Sequence, residues 1–357
     1  MNEFRLRLPQ SDLDDLADRL ARTRWPDELP DAGDEYGLPL ARVRALADRW
    51  QAFDWRAHED ELNAHPQYVT EIGGDRVHFL HLRHPDPGAL PIVLTHGWPG
   101  CTVEFLDVLR LLAEHFHVVV PAIPGFGLSG PTTRRGWDVR RVAGAWAELM
   151  AALGYRRYGA QGGDWGAGIS QHLAALAPDR VAGVHVNYLP TTGAPDGLSP
   201  ADQARLAKTM ALAANRHPHQ LLFAAGPQTP AYAFTDSPAG LLAFWAEKFD
   251  TWSDPATPVP DDRILAGVAH HWFHRTAGSS ARLIKESWTT RPPVVTVPFG
   301  VAVLPGDLTQ SIRPFAEQRF DIRHWTEFPR GGHFAALEVP DLFAADVTNF
   351  FRTLTNR

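Results

Sequence analysis

The chain contains 357 residues, of which 44% are hydrophobic and 21% are charged, and its net charge at pH 7 is -7. A chain of this composition can bury a large core and is too hydrophobic to be disordered. Its negative charge gives no reason to expect a nucleic acid or an anionic membrane as a partner. Cys101 is the single cysteine, so an intrachain disulfide is excluded. The start of the chain lacks an apolar signal core and no run is long enough to span a membrane, so we expect a cytoplasmic protein.

Residues 1–90 are predicted to form an N-terminal extension that packs on the rest of the chain. Leucines at helical spacing predict its helices. Two later segments, separated by a Gly-Gly-Asp turn, have the composition of paired β-strands. The predicted helices cover 11–21, 39–53 and 55–63, and the strands of the predicted hairpin cover 68–72 and 77–82.

Residues 91–187 alternate between short apolar runs and helical patterns. Continuous apolar runs are typical of strands that are buried on both faces of a parallel sheet. Their alternation with helices predicts the first half of a doubly wound, mostly parallel α/β sheet. The predicted strands cover 91–95, 117–121, the residues up to 161 and 181–186, and the predicted helices cover 103–115, 139–153 and 167–176.

The strand pattern stops over 188–290, where helical patterns predict a cap inserted into the sheet. It returns over 291–357, which we assign to the second half of the core. The predicted cap helices cover 200–214, 238–248 and 261–273. The later strands are predicted over 294–297, 301–304 and 325–328, and a final helix is predicted over 340–354.

Residues 162–166, Gly-Gly-Asp-Trp-Gly, lie between a predicted strand and a predicted helix. Small residues flanking a nucleophile at this point are typical of the nucleophile elbow of α/β-hydrolases. The nucleophile position is occupied by Asp164. A carboxylate attacks the carbon of an epoxide or an alkyl halide and forms an ester, which water must then cleave. The alternative is that Asp164 only caps the following helix.

An aspartyl ester needs a base that activates water and an acid that orients the base. α/β-Hydrolases place these groups in the order nucleophile, acid, histidine. Asp307 follows a predicted strand, and His333 lies in a glycine-rich turn after the next one. We therefore predict Asp307 as the acid and His333 as the base. The other position at which an acid can occur, just past the strand that follows the nucleophile, is occupied by Asn187. This favours Asp307 as the acid over the alternative that Asp307 is an ordinary turn residue.

The backbone N–H groups of Trp98 and Trp165 are predicted to stabilise the negative charge that develops in the reaction. Trp98 follows the His96-Gly97 turn, and Trp165 follows the nucleophile, the two positions that form the oxyanion hole in this fold. Both indoles can also serve as packing residues, because the predicted role uses only the backbone.

With these residues in place, the chain resembles the microsomal-type epoxide hydrolases, which carry an N-terminal extension ahead of an α/β-hydrolase core. The resemblance spans nearly the whole chain, and its last segment, Pro-Arg-Gly-Gly-His-Phe-Ala-Ala, is highly specific. The matching segments are 22–26, 54–56, 61–63, 78–81, 96–100, 162–166, 236–238 and 329–336. By this resemblance Asp164 is the nucleophile, His333 the base and Asp307 the acid.

The resemblance implies an epoxide hydrolase-like enzyme that forms a covalent ester and releases a vicinal diol. It implies no cofactor and no metal. The expected partner is a small, apolar epoxide, with no nucleic acid and no membrane, and association into a homo-oligomer is left open. We also expect the membrane anchor of the family to be absent.

One departure from the family concerns the two cap tyrosines that donate hydrogen bonds to the epoxide oxygen. Ile284 stands where one of them is expected, and His219 stands near the position of the other. Without acid assistance the oxygen would leave as an alkoxide, and general acid catalysis contributes ~10²–10⁴-fold. The candidates for a replacement donor are His219, ranked first, with Tyr232, Tyr188, His270 and His271.

Two other functions are compatible with these residues. A haloalkane dehalogenase-like hydrolase would use the same Asp164 and needs no acid for a halide leaving group. A non-hydrolytic binding protein or cyclase-like relative would keep the fold without hydrolysis. The N-terminal extension favours the epoxide hydrolase, and the missing tyrosines suggest a specialised substrate.

Overall fold

The computed structural model describes residues 1–194, 196–215 and 218–355. These residues build one nine-stranded sheet in the order β1-β2-β3-β5-β4-β6-β7-β8-β9. The strands are β1 (Asn2–Glu3), β2 (Gln67–Ile72), β3 (Asp75–Leu82), β4 (Pro91–Thr95), β5 (His117–Pro121), β6 (Tyr158–Gly162), β7 (Val181–Val186), β8 (Pro298–Val303) and β9 (Asp321–Glu327). Strands β4 to β9 run parallel to one another. The pairs β1–β2, β2–β3 and β3–β5 are antiparallel.

The helices fall into three groups along the chain. The N-terminal helices are α1 (Gln10–Ala21), α2 (Leu40–Gln51) and α3 (Trp55–Asn63). The core helices are α4 (Leu109–Ala113), α5 (Val139–Ala152), α6 (Asp164–Leu176), α13 (Arg313–Glu317), α14 (Ala335–Glu338) and α15 (Pro340–Thr355). The helices of the segment predicted above as a cap, called the cap helices below, are α7 (Pro200–Asn215), α8 (Pro218–Ala225), α9 (Gln228–Asp236), α10 (Pro238–Trp252), α11 (Asp261–Phe273) and α12 (Ala277–Ser287). No helix within the described residues is long and apolar enough to cross a bilayer.

The N-terminal extension is attached to both the sheet and the cap. Its predicted hairpin is present as β2 and β3, but β3 pairs with β5, so the hairpin continues the core sheet instead of standing apart from it. Helices α1 and α2 pack against α10 of the cap. Arg42 adds ion pairs of 2.9 Å to Asp250 and 2.7 Å to Asp261, which link α2 to two cap helices.

Two predicted elements are corrected by the structure. No strand forms over 294–297, where Val294 is 82% exposed and lies between Pro293 and the start of β8. Pro292, Pro293 and Pro298 cannot donate ladder hydrogen bonds, which opposes pairing in this segment. The predicted helix over 103–115 is broken into a 3₁₀ turn (Thr102–Phe105) and the short α4. Its apolar spacing continues across the break, so periodicity alone does not detect it.

The carboxyl ends of the parallel strands meet at one edge of the sheet. The residues that follow β4, β6, β7, β8 and β9 therefore converge there, as in other open α/β sheets. This edge faces the cap segment and carries every residue of the predicted catalytic set. The sequence prediction of an α/β sheet with an inserted helical segment agrees with this architecture.

Candidate active site

Asp164 lies in a sharp turn between β6 and α6. It is the first residue of α6 and has a positive φ of 45°. A non-glycine residue in this left-handed region costs ~1–3 kcal/mol, and such strain is concentrated at functional sites. A side chain at Gly166 would overlap the backbone of Thr95, so only glycine permits this close approach of α6 to β4. The geometry matches the predicted nucleophile elbow.

The carboxylate of Asp164 is held by backbone donors. The N–H group of Trp98 donates to Asp164 Oδ1 over 2.8 Å, and the N–H group of Trp165 also donates to this carboxylate. Trp98 lies in the turn after β4, where the Trp98–Pro99 peptide bond is cis. The structure therefore brings both predicted donors to the carboxyl group on which the charge of a tetrahedral intermediate would develop.

His333 and Asp307 form a buried pair beside Asp164. His333 Nδ1 donates to Asp307 Oδ1 over 2.8 Å, and His333 Nε2 lies 3.5 Å from Asp164 Oδ2. The side chains of His333 and Asp307 are each only 2% exposed, whereas that of Asp164 is 18% exposed. The three predicted triad residues, which lie after β6, β8 and β9, thus form one continuous chain of contacts.

The charges and hydrogen bonds around Asp164 and His333 shift the pKa values of both residues. Burial alone would raise the pKa of Asp164, but the hydrogen bond and charge of His333 and the N–H donors of Trp98 and Trp165 lower it below its usual value. Burial alone would lower the pKa of His333, but the charge of Asp307 and the hydrogen bond to Asp164 raise it to about 10. These shifts favour a carboxylate at Asp164 next to an imidazolium at His333.

The loop that carries His333 is held by Glu338, a residue that the sequence analysis did not identify. Its carboxyl group accepts hydrogen bonds from the backbone N–H groups of Gly332 at 2.7 Å and Phe334 at 2.8 Å. It also accepts one from the N–H group of Asp254 at 2.8 Å. Glu338 therefore fixes the backbone on both sides of His333. In the sequence, the one signal for this role is a glutamate four residues past the end of the Gly-Gly-His-Phe motif.

A cavity of about 270 Å³ opens onto Asp164 and Trp165. It also borders Tyr188, Gln171, His172 and Gln220, and small, proline, valine, serine and threonine residues complete the wall. Larger cavities, of about 310 to 900 Å³, border none of Asp164, Asp307, His333, Trp98 and Trp165. The two largest, of about 530 and 900 Å³, lie between the N-terminal extension and the cap, and the smaller of these two borders Tyr232. The cavity at Asp164 is therefore the candidate substrate site despite its smaller volume.

Two of the five candidate proton donors lie near the catalytic group. Tyr188, directly after β7, borders the cavity, and its ring lies edge-on to His333 with a centroid distance of 5.1 Å. Burial, together with the charges of Asp307 and Asp164, raises the pKa of Tyr188, so its hydroxyl keeps its proton. His219 is buried and stacks on the Trp98 indole at 4.8 Å.

The structure does not bring the other three candidates into the cavity. Tyr232 is 72% exposed on α9, because the helix turns this side chain away from the sheet. His270 is paired with His58 of the extension at 3.0 Å. His271 donates to the Pro99 carbonyl oxygen at 3.1 Å and thus supports the turn that carries Trp98. We therefore correct the prediction of Tyr232 as a donor and set aside His270 and His271.

Ile284 lies on α12 and is completely buried. The C-terminal end of this helix reaches the cavity through Ser287. The expected loss of a tyrosine at this position stays a prediction.

One group of side chains among the described residues has the spacing of a metal site. It consists of His185, His324 and Asp346. The Asp346 carboxylate already accepts hydrogen bonds from both imidazoles, at 2.9 Å and 2.7 Å, and so links α15 to β7 and β9. None of the three residues borders the cavity at Asp164, so the group has no place in the candidate chemistry.

Comparisons with known proteins agree with this geometry. Residues 1–105 match the family model for the epoxide hydrolase N terminus, and residues 91–229 match that for the alpha/beta hydrolase fold. A Stigmatella aurantiaca protein provisionally named an epoxide hydrolase is 41% identical over 98% of this chain and 84% of its own length. Epoxide hydrolase 1 of Sus scrofa is 30% identical over 98% of this chain and 88% of its own length.

A solved structure extends the likeness to three dimensions. The epoxide hydrolase of Aspergillus niger superposes with a TM-score of 0.91 at 30% identity, covering 99% of this chain and 96% of that protein. The resemblance and the fold class predicted from the sequence are both confirmed. The chain belongs to the epoxide hydrolase family and has the α/β-hydrolase fold.

Proposed function

We propose that the chain hydrolyses a small epoxide to a vicinal diol through a covalent ester on Asp164. One relationship carries this proposal: the Asp164 carboxylate is held at Oδ1 by the Trp98 N–H group, while Oδ2 lies 3.5 Å from His333 Nε2. Membership of the epoxide hydrolase family, including the match of the N-terminal segment, supports the same reaction.

In the first step, Asp164 Oδ2 attacks one carbon of the epoxide ring. A carbon–oxygen bond forms to the carboxylate, the ring carbon–oxygen bond breaks, and the ring oxygen takes a proton. The N–H groups of Trp98 and Trp165 keep the carboxylate ionised and oriented. The product of this step is a hydroxyalkyl ester of Asp164.

In the second step, water attacks the carboxyl carbon of the ester. His333 Nε2 takes a proton from the water, and Asp307 stabilises the resulting imidazolium. The negative charge on Asp164 Oδ1 is stabilised by the N–H groups of Trp98 and Trp165. The bond from the carboxyl carbon to the alkyl oxygen then breaks, and His333 returns the proton to that oxygen. The second hydrogen of the water, left on the Asp164 carboxyl group, is released and replaces the proton that the ring oxygen took in the first step. Epoxide and water together thus become a diol, and the starting carboxylate is restored.

Tyr188 is the proton donor that we propose for the first step, in place of the family's cap tyrosines. Its hydroxyl stays protonated because burial raises its pKa, and it borders the same cavity as Asp164. His219 takes second place because it stacks on Trp98 and is absent from the cavity wall.

The volume and the lining residues of the cavity indicate the kind of substrate that it can hold. Its volume of about 270 Å³ suits a small molecule. Gln171, His172 and Gln220 border it beside the apolar prolines, so we propose a substrate with a hydrogen-bonding group as well as an apolar part. This modifies the sequence expectation of a purely apolar epoxide.

Diol formation from a panel of small epoxides tests the proposal. We expect turnover by the wild-type chain and none by Asp164→Ala, while Asp179→Ala, which changes an exposed carboxylate, keeps full activity. Halide release from alkyl halides, measured in parallel, tests the dehalogenase alternative. Turnover by Asp164→Ala at the wild-type rate would overturn the nucleophile assignment, and binding of epoxides without turnover would favour a non-hydrolytic protein.

A further inference from the structure

A third carboxyl group, that of Glu104, contacts the turn at residues 96–100, which carries Trp98. Glu104 belongs to the 3₁₀ turn that follows residues 96–100. Its Oε2 atom is so close to Gly100 that any side chain at Gly100 would overlap it. On the same loop, a side chain at Gly97 would overlap the Asp164 carboxyl group. Glu104 and Asp164 therefore contact the same five-residue turn.

The charges of the catalytic group act on Glu104. Burial and the charge of Asp164 raise the pKa of Glu104 to about 8, against the charge of His333 and a backbone hydrogen bond from Gly97. Esterification removes the negative charge of Asp164, and His333 loses its positive charge when it becomes the base, so these two opposing influences on Glu104 disappear together.

Glu104 presents a buried atom, Oε2, that has no hydrogen-bond partner among the described residues. His333 Nε2 is also buried and lies 3.5 Å from Asp164 Oδ2. Buried polar atoms in native proteins are nearly always paired with protein or with ordered water. Asp164, whose ester carbon a water must attack, interacts with both side chains.

We propose that Glu104 binds the hydrolytic water together with His333. Glu104 Oε2 accepts one hydrogen of the water, and His333 Nε2 takes the other as the oxygen attacks the ester carbon of Asp164. Glu104 exchanges no proton, so the balance of the second step is unchanged. The inference rests on the proposed ester mechanism and adds a residue to its second half.

The alternative is that Glu104 only supports the 96–100 turn. A purely structural residue would affect both chemical steps, because the turn also carries the N–H group of Trp98 that orients Asp164 for attack. A residue that binds the water affects only cleavage of the ester. Single-turnover kinetics separate these two effects.

The experiment measures ester formation and ester decay by rapid quenching and intact-protein mass spectrometry. The variants are Glu104→Leu and Glu104→Gln, with exposed Glu114→Gln as a matched control. At pH 9, above the pKa of about 8 for Glu104, we expect Glu104→Leu to form the ester within about threefold of the wild-type rate. We expect it to cleave the ester about 10- to 100-fold more slowly, the effect of losing one hydrogen bond to a charged group. Glu104→Gln keeps an acceptor oxygen, so its decay rate lies between the two.

Three outcomes have distinct meanings. An unchanged decay rate in both variants would overturn the role of Glu104. A parallel loss of formation and decay in Glu104→Gln, a variant of nearly identical shape, would assign it a structural role instead. If no ester forms in the wild-type chain or in His333→Ala, the proposed function fails together with this inference. If an ester forms in His333→Ala but both Glu104 variants cleave theirs at the normal rate, only this inference is refuted.

Discussion

The Nε2 atom of His333 lies 3.5 Å from Oδ2 of Asp164, so the proposed base and the proposed nucleophile form an ion pair. This pair and Asp307 raise the pKa of His333 to about 10 against the opposing effect of burial. Esterification removes the charge of Asp164, leaving Asp307 alone to oppose burial. In the proposed mechanism the pKa of His333 therefore falls once the ester exists, and the imidazole becomes a base when water must be activated.

This relationship predicts that low pH slows ester decay much more than ester formation. Ester formation needs ionised Asp164, whose pKa is lowered, so it continues well below neutral pH. Ester decay needs neutral His333, which protonation at low pH removes. We expect the steady-state fraction of esterified enzyme to rise as the pH falls from about 8 to 5.5, a range around the usual pKa of histidine. Quenched-sample mass spectrometry measures it, and a constant fraction across this range would contradict the account.

Tyr188→Phe tests the proposed proton donor. The variant keeps the ring that lies 5.1 Å from His333 and loses only the hydroxyl. We expect the rate of ester formation to fall by ~10²–10⁴-fold, the usual contribution of general acid catalysis. Tyr232→Phe, which removes an exposed hydroxyl outside the cavity, serves as the control and keeps the wild-type rate. If Tyr188→Phe forms the ester normally, the role passes to His219.

Glu338→Ala tests the support of the His333 loop. It leaves the N–H groups of Gly332, Phe334 and Asp254 without their acceptor, and each unsatisfied buried donor costs ~1–3 kcal/mol. We expect a lower midpoint of denaturant unfolding and slower ester decay. Glu338→Gln keeps an acceptor oxygen, so smaller changes in both quantities are expected. Wild-type unfolding and decay in Glu338→Ala would exclude this role.

Gly97→Ala tests the close approach of the 96–100 turn to the nucleophile. Its methyl group would overlap the Asp164 carboxyl group, which must then move. Misplacing a reacting group by about 1 Å costs on the order of 10²-fold in rate. Gly267→Ala is the control, because it lies within helix α11 with no neighbouring atom within 4 Å of the new methyl group. We expect full activity there and a gain of ~0.5–1 kcal/mol in the free energy of unfolding. Equal kcat values for both variants would contradict the geometry.

Much of the core was accessible to sequence analysis because its strands are continuous apolar runs. β4, β5 and β7 begin and end at the predicted residues. The convergence of Asp164, Asp307 and His333 follows from a rule about parallel sheets, in which residues after the strands meet at one edge. The order of these residues along the chain is therefore enough to anticipate their contact.

Other features depend on contacts that the sequence does not encode locally. The pairing of β3 with β5 merges the hairpin with the core sheet, and a strand pattern gives no pairing partner. The side-chain direction of Tyr232 depends on how α9 packs. Glu338 accepts hydrogen bonds from backbone groups of two loops, and Glu104 accepts one from Gly97, so neither belongs to a recognisable motif.

The most direct test of the covalent mechanism uses His333→Ala. After exposure to a panel of small epoxides and alkyl halides, the intact variant is weighed and the modified peptide is sequenced. The account predicts a stable mass increase equal to one epoxide on the peptide that contains Asp164, because ester formation proceeds and the base that activates water is gone. A folded variant that shows no adduct with any epoxide, or an adduct on another residue, would contradict it.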